Sequence, residues 1–253
     1  MGDVALYRVE ALVLWTKPLG ESDRLAGMLT PDHGRMRAVA RGARRGKGQL
    51  SAAVQPFVHA RFLLWKGREL DGISQAEILG PHQGLSLRLD VLAAAAYCCE
   101  IAQALSNEGQ EASSLFALLA AAVDWLGAVP PGGNLPVLLR WFELGALGAS
   151  GFAPRLLECA RCGGPALGDS ALFSPSAGGV LCANCSVGEG GVLLSANSLR
   201  ALHYLAGCPW DALAGVRVGP RTMAKMAQAT AAHLDAVLER PLRSRALLSL
   251  PEN

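Results

Sequence analysis

The sequence predicts an α+β chain of more than one domain. A small five-stranded β-barrel of the OB type is expected over residues 1–80, and an all-α domain over 81–253, interrupted by a four-cysteine zinc-finger insertion at 159–185. Three observations carry this expectation. Short runs of alternating apolar and polar residues, separated by turn signals, fill the first 80 positions. After Pro81 the apolar spacing changes to steps of three and four, the period of an amphipathic helix. Two Cys-x-x-C pairs then stand 19 residues apart. At 253 residues the chain exceeds one typical domain.

The elements follow in order. Residues 5–17 (ALYRVEALVLWTK) read as a strand with Tyr7, Val9, Ala11, Val13 and Trp15 on one face. Residues 24–30 read as a second, shorter strand. Pro31-Asp32-His33-Gly34 is a turn, because proline presets φ and glycine accepts the positive-φ position. Arg35 to Arg41 alternates again, with Arg35, Arg37, Val39 and Arg41 on one face and Met36, Ala38 and Ala40 on the other. Residues 42–50 read as a flexible basic loop, 56–66 as a fourth strand and 68–79 as a fifth, interrupted near Gly72. Five short strands suit a partly open OB barrel, with an SH3-like barrel as the competing arrangement. An OB barrel holds nucleic-acid strands by a cationic groove and aromatic platforms, for which Trp15, Phe57, Phe62 and Trp65 are candidates. Core packing competes for each of those rings. Beyond Pro81, Leu85, Leu89, Leu92, Ala96 and Cys99 form a helical stripe, and further helices are expected at 110–127, 135–149, 195–207 and 220–240.

A composition of 51% hydrophobic and 17% charged residues excludes disorder as the dominant state. The formal charge of +2 conceals segregation, with +4 over residues 1–80 and −4 over 81–158. From His33 to Arg68 nine basic residues occur without one acid: Arg35, Arg37, Arg41, Arg44, Arg45, Lys47, Arg61, Lys66 and Arg68. Such a stretch is the expected footprint of a protein that binds a polyanion. No run of 18 apolar residues and no secretory signal pattern occurs, so no membrane association and a cytoplasmic location are expected. In a reducing compartment, paired cysteines are metal ligands more often than disulfides.

Cys159-Ala160-Arg161-Cys162 and Cys182-Ala183-Asn184-Cys185 are the most specific chemical signal. Each pair sets two thiolates on one tight turn, and two such turns complete a tetrahedron. Four soft sulfurs with no open position suit one structural Zn2+. Gly163-Gly164 and Gly178-Gly179 are expected to let backbone amides point at the sulfurs. A catalytic zinc deaminase would need a His-x-Glu partner, and none occurs. The segment Gly42 to Gly48 lacks the glycine spacing and the Ser or Thr of a phosphate loop, and neither G-x-S-x-G nor H-E-x-x-H occurs. The expectation is a protein that binds rather than catalyses. Two other readings fit the same residues: an RNA-binding OB plus zinc-ribbon accessory factor, and a zinc-dependent nucleic-acid-modifying enzyme.

Several stretches together resemble the bacterial recombination mediator family RecO: ALVLWTKPLGESDRLAGMLTPDHGRMRAVARGARR (11–45), QPF (55–57), RELDGISQAEIL (68–79), GFAPRLLECARCG (151–163) and ERPLRSRALL (239–248). The resemblance runs nearly the length of the chain, in order. It implies an OB domain, a helical domain and a four-cysteine zinc site, matched here at Cys159, Cys162, Cys182 and Cys185. It further implies recombinational repair in the RecF pathway. Members of the family bind single- and double-stranded DNA, anneal complementary strands, and work with RecR and the C-terminal tail of single-strand-binding protein (SSB) to load RecA at the nucleoid. The basic loop carries over to Arg41, Arg44, Arg45 and Lys47. Arg140, Arg217, Arg221 and Lys225 are the candidates beside an SSB-tail groove.

Overall fold

The computed structural model describes residues 5–46, 48–80, 85, 88–166 and 168–249. Lys47 and His82 lie outside the described residues. The chain divides into two compact units, one of Met1–Ala128 with Leu247–Asn253, the other of Val129–Ala246.

In the first unit, β1 (Leu6–Leu19), β2 (Asp23–Thr30), β3 (Gly34–Ala40), β4 (His59–Trp65) and β5 (Asp71–Gly80) close into a barrel in the order β1-β2-β3-β5-β4. β3 and β5 pair in parallel and the other neighbours antiparallel. The interior alternates large and small side chains, as a narrow barrel requires: Val9, Met28, Phe62 and Leu64 among Ala11, Ala26, Ala38, Ala40 and Ala60. A short helix, α1 (Gln49–Ala53), contributes Ala53 and Val54 to that core. It begins at the end of the stretch 42–50 expected to be a flexible loop and runs on to Ala53, and it was not foreseen because five residues are too few to show a helical period.

The face assignment of β1 holds as far as Val13 and then reverses. Val13 pairs with Met28 and Trp15 with Gly27, so Leu14 is an extra residue, a β-bulge. Beyond it Thr16 pairs with the inward Ala26, while Trp15 and Lys17 point out of the barrel. The expected turn at 31–34 is present, with Gly34 at φ +60°. A side chain there would also meet the carbonyls of Asn107 and Gln110.

Helices α2 (Leu89–Leu105) and α3 (Ser113–Ala128) pack on the barrel at β1 and β2. They cover the outward side chains Leu12, Leu14 and Leu29, all at or below 5% exposure. Their connection is stitched to the β2–β3 turn by backbone bonds from Arg35 to Asn107 (3.0 Å), Gly109 to His33 (2.9 Å) and Ala112 to Pro31 (2.7 Å). The stripe expected on α2 is too narrow. Leu89 is exposed, whereas Val91, Ala94, Tyr97, Cys98, Ile101 and Ala102 are buried, because the helix has packed neighbours on more than one side. Burial pushes the Cys99 thiol up to about 12.

The second unit contains α4 (Leu135–Ala149), α5 (Ala196–Gly207) and α6 (Pro220–Leu238). It is not all-α. Three short strands, β6 (Ser170–Ser174), β7 (Gly179–Leu181) and β8 (Val192–Ser195), form an antiparallel sheet in the order β7-β6-β8. Strands of three to five residues give too little alternation to be seen in sequence. α4 is buried on nearly every side and packs on α5 and α6. Ser195 caps α5 by accepting from the Ser198 amide at 3.2 Å. His233 donates from Nε2 to the Phe152 carbonyl at 3.0 Å.

Candidate functional site

Strand pairing lines three segments along one side of the barrel: the segment after β3 lies between the β1–β2 turn, at the end of β1, and the β4–β5 loop, which is level with the start of β1 but beside the end of β3. Five of the nine candidate cations gather there. Arg41 lies over the Trp65 indole at 5.0 Å from its centroid. Arg44 is anchored to the β1–β2 turn, its amide donating to the Ser22 carbonyl at 2.8 Å and its guanidinium to the Gly20 carbonyl. Arg45 reaches Glu21 at 2.9 Å, with both side chains mostly exposed. Lys66 reaches Asp71 at 3.1 Å, and Arg68 is exposed on the β4–β5 loop. Arg37 adjoins these loops on the outward row of β3, exposed and 3.7 Å from Glu108.

Two candidates fall elsewhere. Arg35 is half-buried beside the α2–α3 connection. Arg61 sits on the outside of β4, opposite Glu10 on β1 and Glu77 on β5, and bonds Glu77 at 3.1 Å. The acid-free run is therefore acid-free only along the chain. Glu21, Asp71, Glu77 and Glu108, from outside it, return in space. Exposed pairs of this kind contribute about 0–1 kcal/mol each, so their cations exchange readily for other anions.

Asp23 organises the basic loop. Its carboxylate accepts from the Gly42 amide at 2.9 Å and the Ser22 hydroxyl at 2.8 Å. Those bonds, the Gly42 amide first, hold its carboxyl below the ordinary value, with Arg41 and Arg45 adding to the effect. Asp71 does the same for the β4–β5 loop. Burial pushes its carboxyl up, but the Tyr7 hydroxyl, the Gly67 amide and Lys66 together outweigh burial and hold it down.

Among the four aromatic candidates, Phe62 is wholly buried in the barrel and Phe57 is half-buried at φ +71°. Trp15 and Trp65 are the two that face outward. Lys17, over the Trp15 ring at 5.2 Å, is a cation that sequence reasoning left out. Its position two residues after Trp15 was the available signal.

In the second unit the two cysteine pairs converge. The Sγ atoms of Cys159, Cys162, Cys182 and Cys185 all lie within 4.8 Å of one another, and Cys162 and Cys182 are 3.8 Å apart. A tetrahedral ion with 2.3 Å bonds to sulfur would set its ligands about 3.8 Å apart, so the donor set fits such an ion. The first knuckle is closed by bonds from the Cys159 amide to the Gly164 carbonyl (2.8 Å) and from Gly163 to Cys159 (2.9 Å). The Ala160 amide ties it to β7 through Val180 at 2.8 Å. Arg161 spans to the second knuckle, donating to the Cys185 carbonyl at 3.2 Å and to Glu189 at 2.6 Å. The amides of Cys162, Cys182 and Arg161 reach the Cys159 sulfur and draw its thiol down to about 6. Cys185, beside the other thiols, is pushed up to about 12. Without a cation, four adjacent thiols cannot all ionise; one bound cation removes that conflict.

Of the residues considered for a peptide groove, Arg140 is buried and forms a two-point ion pair with Glu143 on the next turn of α4. Arg217 donates to the Ala214 carbonyl at 2.7 Å, and Arg221 and Lys225 are exposed on the first turns of α6. No helix among the described residues is long and apolar enough to cross a membrane.

A closed barrel with a cation-rich side, a helical region and four thiols placed to hold a metal ion define the class: a two-unit α+β protein. Within it, the chain belongs to the recombination protein O (RecO) family of DNA repair and recombination proteins. The model of that family's N-terminal part matches residues 4–82, and the model of its C-terminal part matches residues 87–246. The chain is 36% identical to the DNA repair protein RecO of Symbiobacterium thermophilum, over 97% of both chains. It is 37% identical to the protein of that name from Desulforudis audaxviator, over 96% of both. It is 38% identical to that of a Nocardioides species, over 95% of this chain and 98% of the other.

Proposed function

We propose that this chain is a non-enzymatic recombination mediator, whose barrel is of the OB type and binds single- and double-stranded DNA through its cationic side. The observation that carries the reading is the gathering of Arg41, Arg44, Arg45, Lys66 and Arg68 on two adjoining loops, with Arg37 on the neighbouring row of β3. Lys47 belongs to the same loop by sequence. Arg35 and Arg61 contribute least, the first half-buried and the second flanked by two carboxylates. Annealing needs no reacting group. Two strands repel through their phosphates, and a shared cationic surface lowers that barrier. Surface ion pairs to Glu21 and Asp71 keep the cations in place until phosphate replaces the carboxylate.

The ion at the four cysteines is a structural Zn2+ that holds the two knuckles together. Family membership supports work with RecR and with the SSB C-terminal tail, and through them the loading of RecA, in the cytoplasm at the nucleoid. With Arg140 committed to Glu143, a tail groove would draw on Arg217, Arg221 and Lys225.

The test is a binding series across salt with matched single-stranded DNA, duplex and RNA, joined to a strand-annealing assay. Contact with about four phosphates of a single strand gives a log–log salt slope near −3. A slope near zero, or annealing no faster than without protein, would overturn the reading. Tighter binding of RNA than of DNA would favour the RNA-binding alternative.

A further inference from the structure

The outer face of the barrel carries the same arrangement twice. Trp15 on β1 lies across Gly27 on β2, and Trp65 on β4 lies across Gly72 on β5. At each glycine a β-carbon would collide with the indole atoms Cε2, Cζ2 and Nε1, all three at nearly equal separations. The ring therefore lies flat over the glycine rather than edge-on, and only glycine permits it. A cation then covers each ring: Lys17 over Trp15 at 5.2 Å and Arg41 over Trp65 at 5.0 Å. Both cations are exposed and both indoles half-buried.

The two stacks flank one strand. Gly27 pairs with Arg37 and Gly72 with Val39, both on the outward row of β3. The indoles thus lie over β2 and β5, on either side of β3, about 12 Å apart by two strand spacings and two residues along β3. The bulge at Leu14 is what turns Trp15 outward, and it also turns the Thr16 hydroxyl inward, where it is buried without a hydrogen-bond partner. An unsatisfied buried hydroxyl is unfavourable. The strand accepts it and keeps Trp15 and Lys17 outside.

We propose that Trp15 and Trp65 are paired stacking platforms for unpaired bases of single-stranded DNA, with Lys17 and Arg41 as exchangeable covers that move onto the phosphates when bases arrive. A cation over an exposed ring is held weakly, whereas a base stacked on an aromatic ring is the stronger contact. Duplex DNA keeps its bases stacked on one another and offers the indoles nothing. The cationic side then binds both forms of DNA, and the two indoles give the surface its preference for single strands. This rests on the nucleic-acid reading above and adds base recognition to it.

The test is anisotropy titration of the full chain with an oligothymidylate, an abasic strand of equal length and a duplex, at one fixed salt concentration. Trp15→Leu and Trp65→Leu should each weaken oligothymidylate binding roughly five- to hundred-fold. Abasic and duplex binding should stay within about twofold, and the phosphate-derived salt slope should not change. Trp15→Phe and Trp65→Phe keep a stacking face, so the double Phe variant should retain most affinity while losing the quenching of tryptophan emission that oligothymidylate causes. Equal loss on all three DNAs, no loss on oligothymidylate, or quenching that persists in the double Phe variant overturns the proposal. The charge reading would fail differently, by unchanged affinity for every DNA when Arg44 and Arg45 are reversed.

Discussion

The barrel and the cysteine-bearing sheet relate structure to chemistry in opposite ways. The barrel closes on its own interior of Val9, Ala11, Met28, Phe62 and Leu64, and its charged groups sit outside on a scaffold complete without them. The sheet of β6, β7 and β8 has strands of only three to five residues, and the knuckles beside it are joined by single backbone bonds and by Arg161. There Phe173, Val180, Leu181 and Leu194 make only a small buried core, and the four sulfurs converge beside it. Chemistry added to a closed core can be altered without harming the fold; chemistry that ties short strands and turns together cannot.

The largest expected effect breaks the second region. Cys159→Ser should drop bound zinc below about half an equivalent and expose residues 159–185 to protease, since the free energy of filling such a site is also folding free energy, on the order of 10 kcal/mol. Metal analysis with limited proteolysis reads it, and intact metal content in the variant would contradict a four-sulfur site. Next is Phe62→Ala inside the barrel, expected to cost about 3–5 kcal/mol in denaturant unfolding with zinc content unchanged. Zinc lost together with barrel stability would erase the distinction.

Reversing surface charge should leave both regions folded. Arg44→Glu with Arg45→Glu should reduce DNA affinity about tenfold or more for any sequence and flatten the salt slope by about 1–2. The smallest effect concerns pH. The carboxyl of Asp71 is held below its ordinary value, so its stabilisation is fully present above about pH 4 and is lost as pH falls through the lowered folded value. Asp71→Asn should cost about 1 kcal/mol at neutral pH and give a flatter acid limb in thermal melts taken between pH 5 and 2.

The contrast also explains what the sequence could show. Barrel strands were legible because Val9, Ala11 and Val13, or Ala38 and Ala40, recur at period two. The four cysteines were legible because their donor chemistry is local to two short motifs. Trp15 was assigned to the wrong face because the bulged Leu14 looks like any other apolar residue in ALVLWTK. The sheet β6–β8 escaped because segments such as GVL carry no periodicity. The ion pairs of Arg37, Arg45, Arg61 and Lys66 were invisible because pairing imports acids from up to 71 positions away, as Glu108 is from Arg37. Arg140 read as a surface cation, since nothing in its spacing shows that α4 is enclosed on nearly all sides.

The extra residue at Leu14 is slack in β1. Excising it would make Val13 and Trp15 consecutive partners of Met28 and Gly27, so the indole and the ammonium group of Lys17 would stay outside and Thr16 inside. The loss of one peptide unit can therefore be absorbed at this point, whereas an added unit beyond it would reverse the facing of everything up to the β1–β2 turn.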